Sequence, residues 1–275
     1  MNISLSLASV CMLVACLSCP SETVRRNVPS PQDGDCDLVI FLTGNELSSL
    51  RPCGCSGGQL GGLEKRSAVF NGIPASRRLT INTGSLVADD GEQDLIKFRV
   101  IFEALGLLQY DMVCLTDQDQ AIAEEMGLLA NPQRTFAVLK DHVDGSGVFT
   151  KRFPDAGITV NAASFDPRLG PVEQVARLFP GANDAAIIDI LILRQYDSDS
   201  LNDIIAQCSG IDCIICPPDA DEPHLLSAPG AKPLVVTVGR FGRHIGRIRV
   251  AFPAAEVGPS LQFEATPVTA DLPDD

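Results

Sequence analysis

Residues 235–247 read VVTVGRFGRHIGR. The stretch begins inside an apolar run, 234–238, interrupted only by Thr237. A run of that length and character suits a strand covered on both faces. The chain then turns through Gly239, Arg240, Phe241, Gly242 and Arg243, and apolar sequence returns at 248–252. Arg240, Arg243, His244, Arg247 and Arg249 crowd into this one segment, which reads as a solvated strand edge.

Upstream, apolar runs of strand length recur at 38–42, 79–82, 112–115, 158–161, 186–193 and 213–216. Helical patterns lie between them, at 63–70, 94–108, 120–129, 172–179 and 201–208. In the second of these, Leu95, Phe98, Ile101, Phe102 and Leu105 recur at helical spacing on one face. Alternating strands and helices predict an α/β domain. The last third carries more strands than helices. That predicts either one mixed sheet or two sheets packed face to face, flanked by helices.

The chain has 275 residues, 45% hydrophobic and 20% charged, a globular balance. Its net charge of −14 argues against a nucleic-acid partner, whose phosphates it repels. Residues 265–275 are polar and Pro-rich and are expected to form a flexible tail. Residues 1–16, MNISLSLASVCMLVAC, are apolar over a length suited to a signal-peptide core. They are too short for a span, which needs roughly 20 residues. Leu13-Val14-Ala15-Cys16 resembles a bacterial lipoprotein box in which Cys16 is lipidated. An ordinary signal peptide cut near Ala15 and an uncleaved anchor are the alternatives. On the lipoprotein reading, 17–36 is a tether and 37–264 the domain. The protein is then exported and membrane-anchored, outside the cytoplasmic membrane or in the periplasm or outer membrane.

Export bears on the 10 cysteines, because thiols outside the cytosol tend to oxidise. With Cys11 and Cys16 set aside, Cys19, Cys36, Cys53, Cys55, Cys114, Cys208, Cys213 and Cys216 form an even set, and disulfides are the first expectation. Residues 51–66, RPCGCSGGQLGGLEKR, place Cys53 and Cys55 before two glycine pairs. The glycines permit a tight turn before a helix near Leu63. No Gly-Lys-Ser/Thr follows, so this is not a P-loop.

In α/β folds chemistry gathers at the carboxyl ends of strands. Those ends carry Asn45 and Glu46; Gly84 and Ser85; Asp117 and Asp119; Arg194 to Asp197; Cys216 to Asp219; and Gly239 to Arg243. Asp117 and Asp119 either hold one hard cation weakly or cap the following helix. Ser85 has no visible His and acid partner, so a hydrolase triad is unsupported.

The order of these segments resembles the metallophosphoesterase (calcineurin-like) domain of the 5'-nucleotidase type, from about Asp37 to Phe252. Residues 61–66 resemble the family's Gly-Gly-Leu-Ala-Arg helix start. Residues 104–113 resemble the helix and strand before its Gly-Asn-His-Glu loop, and 136–139 its next strand. Residues 210–215 resemble the strand before its Gly-His-x-His loop. The 235–247 segment is the strongest match, to the closing Gly-Ser-x-Gly-Arg-x-x-Gly-Arg. Residues 53–62, CGCSGGQLGG, resemble a cysteine-bearing subgroup. The resemblance implies a sandwich of two mixed β-sheets flanked by helices.

It also implies a pair of metal ions held by Asp, His and Asn, which activate water and clamp a phosphate. The matching positions are substituted. The first loop's Asp-x-His falls on Asn45 and Leu47, and the second's Asp on Ser85. The third's Asn-His falls on Asp117 and Gln118, and the fourth's His on Gln195 or Tyr196. The fifth's His-x-His falls on Pro218 and Ala220. The 3 histidines, His142, His224 and His244, occupy none of these positions. No cofactor is therefore expected in the family's manner, and the protein is expected to be a non-hydrolytic relative that binds an unidentified protein or small ligand. The alternatives are a residual metal-dependent phosphoesterase and a protein whose cysteines are metal- or redox-active. In the latter, Cys53, Cys55, Cys114, Cys213 and Cys216 hold one zinc or iron ion, with Asp219 or His224 completing the set. Structural disulfides and inert burial are competing readings of the same cysteines.

Overall fold

The computed structural model describes residues 36–52, 58–140, 147–179, 186–253 and 258–274. Cys16, Cys53, Cys55 and His142 lie outside the described residues. The elements in order are β1 (Leu38–Thr43), a 3-10 turn at Leu63–Lys65 running into α1 (Arg66–Phe70), β2 (Arg78–Asn82), α2 (Glu92–Leu107), β3 (Met112–Cys114), α3 (Asp117–Glu125), β4 (Ala137–Leu139), β5 (Val148–Phe153), β6 (Ile158–Phe165), α4 (Glu173–Leu178), β7 (Ile187–Leu193), α5 (Ser198–Gln207), β8 (Cys213–Cys216), β9 (Leu234–Thr237), β10 (His244–Ala251) and β11 (Ser260–Pro267).

Two sheets result, in the orders β11-β10-β1-β2-β3-β4 and β5-β6-β7-β8-β9. In the first, β10 pairs antiparallel with both β1 and β11, and the rest is parallel. In the second, only β5–β6 is antiparallel. Both sheets are mixed, and their inner faces form one core. Leu38, Ile40, Leu42, Leu79 and Ile81 meet Val160, Ile188, Ile190, Ile192 and Val236 there. The alternate residues point the other way. Val39, Phe41 and Val113 pack under α2 against Phe98, Ile101, Phe102 and Leu105, whose burial contributes about 1.5–3 kcal/mol each. Leu191, Leu193, Ile214 and Val235 pack against α4 and α5 through Val175 and Ile204. Burial on both faces is why these strands read as unbroken apolar runs.

Each sheet is buttressed in the same way at its end away from the parallel strands' carboxyl termini. Asp111 precedes β3, and its carboxylate accepts from the Thr80 N–H at 2.9 Å. Asp212 precedes β8 and accepts from the Asp189 N–H at 2.9 Å. A hydrophobic-Asp-hydrophobic step thus closes the backbone pairing at the start of a strand in both halves.

The structure departs from the sequence reading in five places. Val148–Phe153 and Ser260–Pro267 are strands that no apolar run marks, because polar residues interrupt both. The described part of the expected tail, residues 265–274, is packed: its first residues belong to β11, Val268 is buried, and Lys65 binds the Leu272 carbonyl and the Asp274 carboxylate. The basic segment is an interior strand, not a solvated edge. Arg247 and Arg249 pair across to Glu264 on β11, with side chains only 13% and 12% exposed. Finally, α3 starts at Asp117, because Thr116 and Asp119 form a reciprocal capping box there.

Candidate functional site

The carboxyl ends of β1, β2, β3, β7 and β8 converge on one small cavity of about 40 Å³. Asn45, Thr83, Ser85, Thr116, Ile192, Leu193, Arg194, Ile215, Cys216 and Pro217 line it. The placement follows the general rule for parallel strands.

The loop after β1 is held from below. Asn45, Leu47 and Ser48 adopt φ of 54°, 47° and 67°. Such left-handed backbone in non-glycine residues costs on the order of 1 kcal/mol each and persists only where its surroundings over-determine it. Here Glu46, between them, is fully buried. Its Oε1 accepts from Arg66 Nη1 at 2.8 Å and from Asn82 Nδ2 at 2.9 Å. Arg66 also donates to the Tyr110 hydroxyl at 3.0 Å, and that hydroxyl bonds Thr43 at 2.8 Å. The loop's backbone runs beside the one after β2, with Asn45 N–H donating to Gly84 at 2.7 Å and Leu47 N–H to Ser85 at 3.1 Å.

Gly84 takes φ +89°, and a Cβ there would sit 2.3 Å from the Cys114 carbonyl, so the position requires glycine. Asp119 is buried and fully engaged by backbone. It accepts from Ser85 N–H at 2.7 Å, Leu86 N–H at 3.0 Å and Thr116 N–H at 3.1 Å. Of its two expected roles, it performs the cap.

Arg194, which the sequence places at a strand end without giving it a role, is engaged by the opposite strand ends. Its Nη1 donates to the carbonyls of Thr83 at 3.0 Å and Cys114 at 3.1 Å, and its Nη2 to that of Leu115. The signal was available: a charged residue directly after the apolar β7, at a strand end.

The substituted positions of the five loops behave as their chemistry dictates. Asn45 and Ser85 line the cavity, Leu47 is half-buried beside it, and Asp117 and Gln118 are exposed on the first turn of α3. Gln195 donates to Asp166 at 3.2 Å, and Tyr196 packs in the α4–α5 core. Pro218 offers its carbonyl to Arg240 at 3.1 Å. His224 and Asp219 pair with each other at 3.4 Å, and His224 Nδ1 contacts Thr237 Oγ1 at 3.1 Å. Neither is among the residues lining the cavity.

The cysteines separate as well. Cys114 and Cys213 are buried in the core between the sheets, while Cys216 lies on the opposite face of β8. That is the consequence of a three-residue offset along a strand. Cys213 and Cys216 are free thiols, so neither joins a disulfide. Burial raises both thiols, and burial followed by the Asp219 charge pushes Cys216 to about 12. Of this set only Cys216 borders the cavity.

A metal pair of the kind the resemblance implies does not fit these side chains. Leu47 has no donor atom. Among the described residues, no three His, Cys, Asp or Glu side chains are grouped to hold an ion.

No family model matches the chain, and no characterised protein sequence does. Solved structures do match. The Thermus thermophilus sulfate thiohydrolase SoxB superposes with a TM-score of 0.65 at 13% identity, covering 86% of this chain and 58% of that one. A 5'-nucleotidase precursor, also from Thermus thermophilus, gives 0.62 at 17% identity, covering 86% and 56%. The calcineurin-like phosphoesterase YfkN of Bacillus subtilis gives 0.59 at 14% identity, covering 86% and 92%. The chain thus has the calcineurin-like metallophosphoesterase fold, a divergent version of it. It spans just over half the length of the first two proteins.

Proposed function

We propose that this protein is a non-hydrolytic binding domain on a metallophosphoesterase scaffold, exported and held at a membrane by a lipid on Cys16. One observation carries the reading. The described residues lining the strand-end cavity offer an amide, hydroxyls, a thiol and a guanidinium, with no carboxylate or imidazole. Two-metal hydrolysis needs anionic or imidazole ligands to hold its ions and activate water. The same fold without them is a binding surface for a protein or small ligand.

The full chain, assayed on phosphomonoesters, phosphodiesters and nucleotides with added Mn²⁺, is expected to give turnover no higher than buffer. Mn²⁺-dependent hydrolysis above that level would refute the proposal. Lipid attachment is supported by the 1–16 sequence alone. Labelled palmitate should enter the protein made in a bacterial host and fail to enter Cys16→Ser. Among the described residues no helix is long and apolar enough to cross a membrane.

A second reading is favoured by the position of Cys216. Cys216 borders the cavity, and Cys53 and Cys55 belong to the segment after β1. These three sulfurs are candidates for one zinc or iron ion. Elemental analysis of chain purified without added metal or chelator decides it. About one ion per chain, lost in Cys53→Ser, is the result that supports this alternative.

A further inference from the structure

Building on the non-hydrolytic reading, we infer that the Arg194 guanidinium is a built-in cation that bridges the two sheets at the cleft and keeps hard divalent ions out of it. Arg194 directly follows β7, in the five-stranded sheet. The three carbonyls it engages lie at or just past strand ends of the six-stranded sheet. Thr83 follows β2, Cys114 ends β3 and Leu115 comes next. A single side chain therefore joins the cleft ends of both sheets.

Carbonyl oxygens gathered at strand ends form the kind of oxygen set a hard cation takes. Here a guanidinium takes it. The planar fork matches several acceptors at once, and its weak hydration suits a half-buried place. A divalent ion entering the cavity would meet a fixed positive charge and find these carbonyls already engaged. Gly84 brings its backbone close to the Cys114 carbonyl that Arg194 engages, so that a Cβ there would sit 2.3 Å from it.

The test is thermal unfolding of the full chain beside Arg194→Ala and Arg194→Lys. Each is measured in EDTA, in Mn²⁺, and in methylguanidinium or methylammonium at concentrations that leave the wild-type midpoint unmoved. The wild-type midpoint should be the same in EDTA and in Mn²⁺. Arg194→Ala should unfold several degrees lower. Methylguanidinium should recover part of that loss and methylammonium none, which a purely packing role for the side chain would not produce. Arg194→Lys, with the charge but not the fork, should fall between. A wild-type midpoint raised by Mn²⁺ overturns the inference, as does Arg194→Ala unfolding at the wild-type temperature or showing no rescue by methylguanidinium. If Arg194→Ala does not fold, Arg194→Lys decides, and a midpoint equal to wild type overturns it. These outcomes are separable from the hydrolysis assay. Mn²⁺-dependent turnover ends the non-hydrolytic reading, whereas an unshifted Arg194→Ala ends only the bridge.

Discussion

Glu46 and Arg66 are both almost wholly inaccessible, with side chains 0% and 1% exposed. Among the described residues, Glu46 Oε2 and Arg66 Nε find no hydrogen-bond partner. Removing one partner strands a buried charge, which costs about 3–5 kcal/mol, whereas removing both can be far milder. Urea unfolding should therefore show Glu46→Leu and Arg66→Met each strongly destabilised, and the double variant well short of their sum. An additive double variant would mean the two side chains do not act as a pair. Gly242 belongs to the same cluster. It has φ +60°, and a Cβ there would lie 2.1 Å from Arg66 Nη2. Gly242→Ala should lower stability through both effects, read as a fall in denaturant midpoint. Nothing in the sequence pairs Glu46 with Arg66. They lie 20 positions apart, in what reads as a loop and a helix start, and only the fold brings them together.

At the level of elements, α3 is set by its cap. Asp119 serves as the N3 residue of α3 and also anchors the loop after β2 through Ser85 and Leu86. Asp119→Ala should cost about 1–3 kcal/mol, the range for losing a cap and leaving buried N–H groups unpaired. Asp119→Asn, which keeps an acceptor, should cost less. The check is the denaturant midpoint at constant slope. An Asp119→Ala protein as stable as wild type would remove the anchor role. Sequence periodicity located α2 well because a long helix shows its buried face several times over. It misplaced the start of α3 because an N-cap is a local hydrogen-bonding decision that periodicity does not register. It missed β5 and β11 because polar residues interrupt the apolar run in these two edge strands, Thr150 to Arg152 in β5 and every second position in β11.

Across the whole molecule, the two sheets share their Asp buttress but not its electrostatics. Asp111 has Lys151 Nζ at 2.6 Å. Burial, and then the neighbouring Asp189, raise Asp212 from 3.8 to about 6, against hydrogen bonding from the Asp189 backbone. A carboxyl raised in the folded state binds its proton more tightly there than in the unfolded chain. Its stabilising contribution is therefore complete below pH 3.8 and is lost as pH rises through about 6. Asp212→Asn keeps an acceptor for the Asp189 N–H and removes the buried charge. It should exceed wild-type stability at pH 7–8 by on the order of 1–2 kcal/mol, less than the full shift because the carboxylate retains some solvent contact. The advantage should shrink as pH falls through about 6 and vanish only below 3.8, where the group is protonated in both states; a constant advantage from pH 4 to pH 8 would rule out titration as its cause. By itself the sequence determined the alternation of strands and helices, the apolar character of the central strands and the order of the strand-end loops, because these depend on local periodicity and burial. Only the tertiary structure decided that β10 runs inside the sheet, that Cys213 and Cys216 face opposite cores, and that Arg194 reaches across to the other sheet. Each of these depends on which distant strands pair and which face each one turns inward, and a single strand's composition carries neither piece of information.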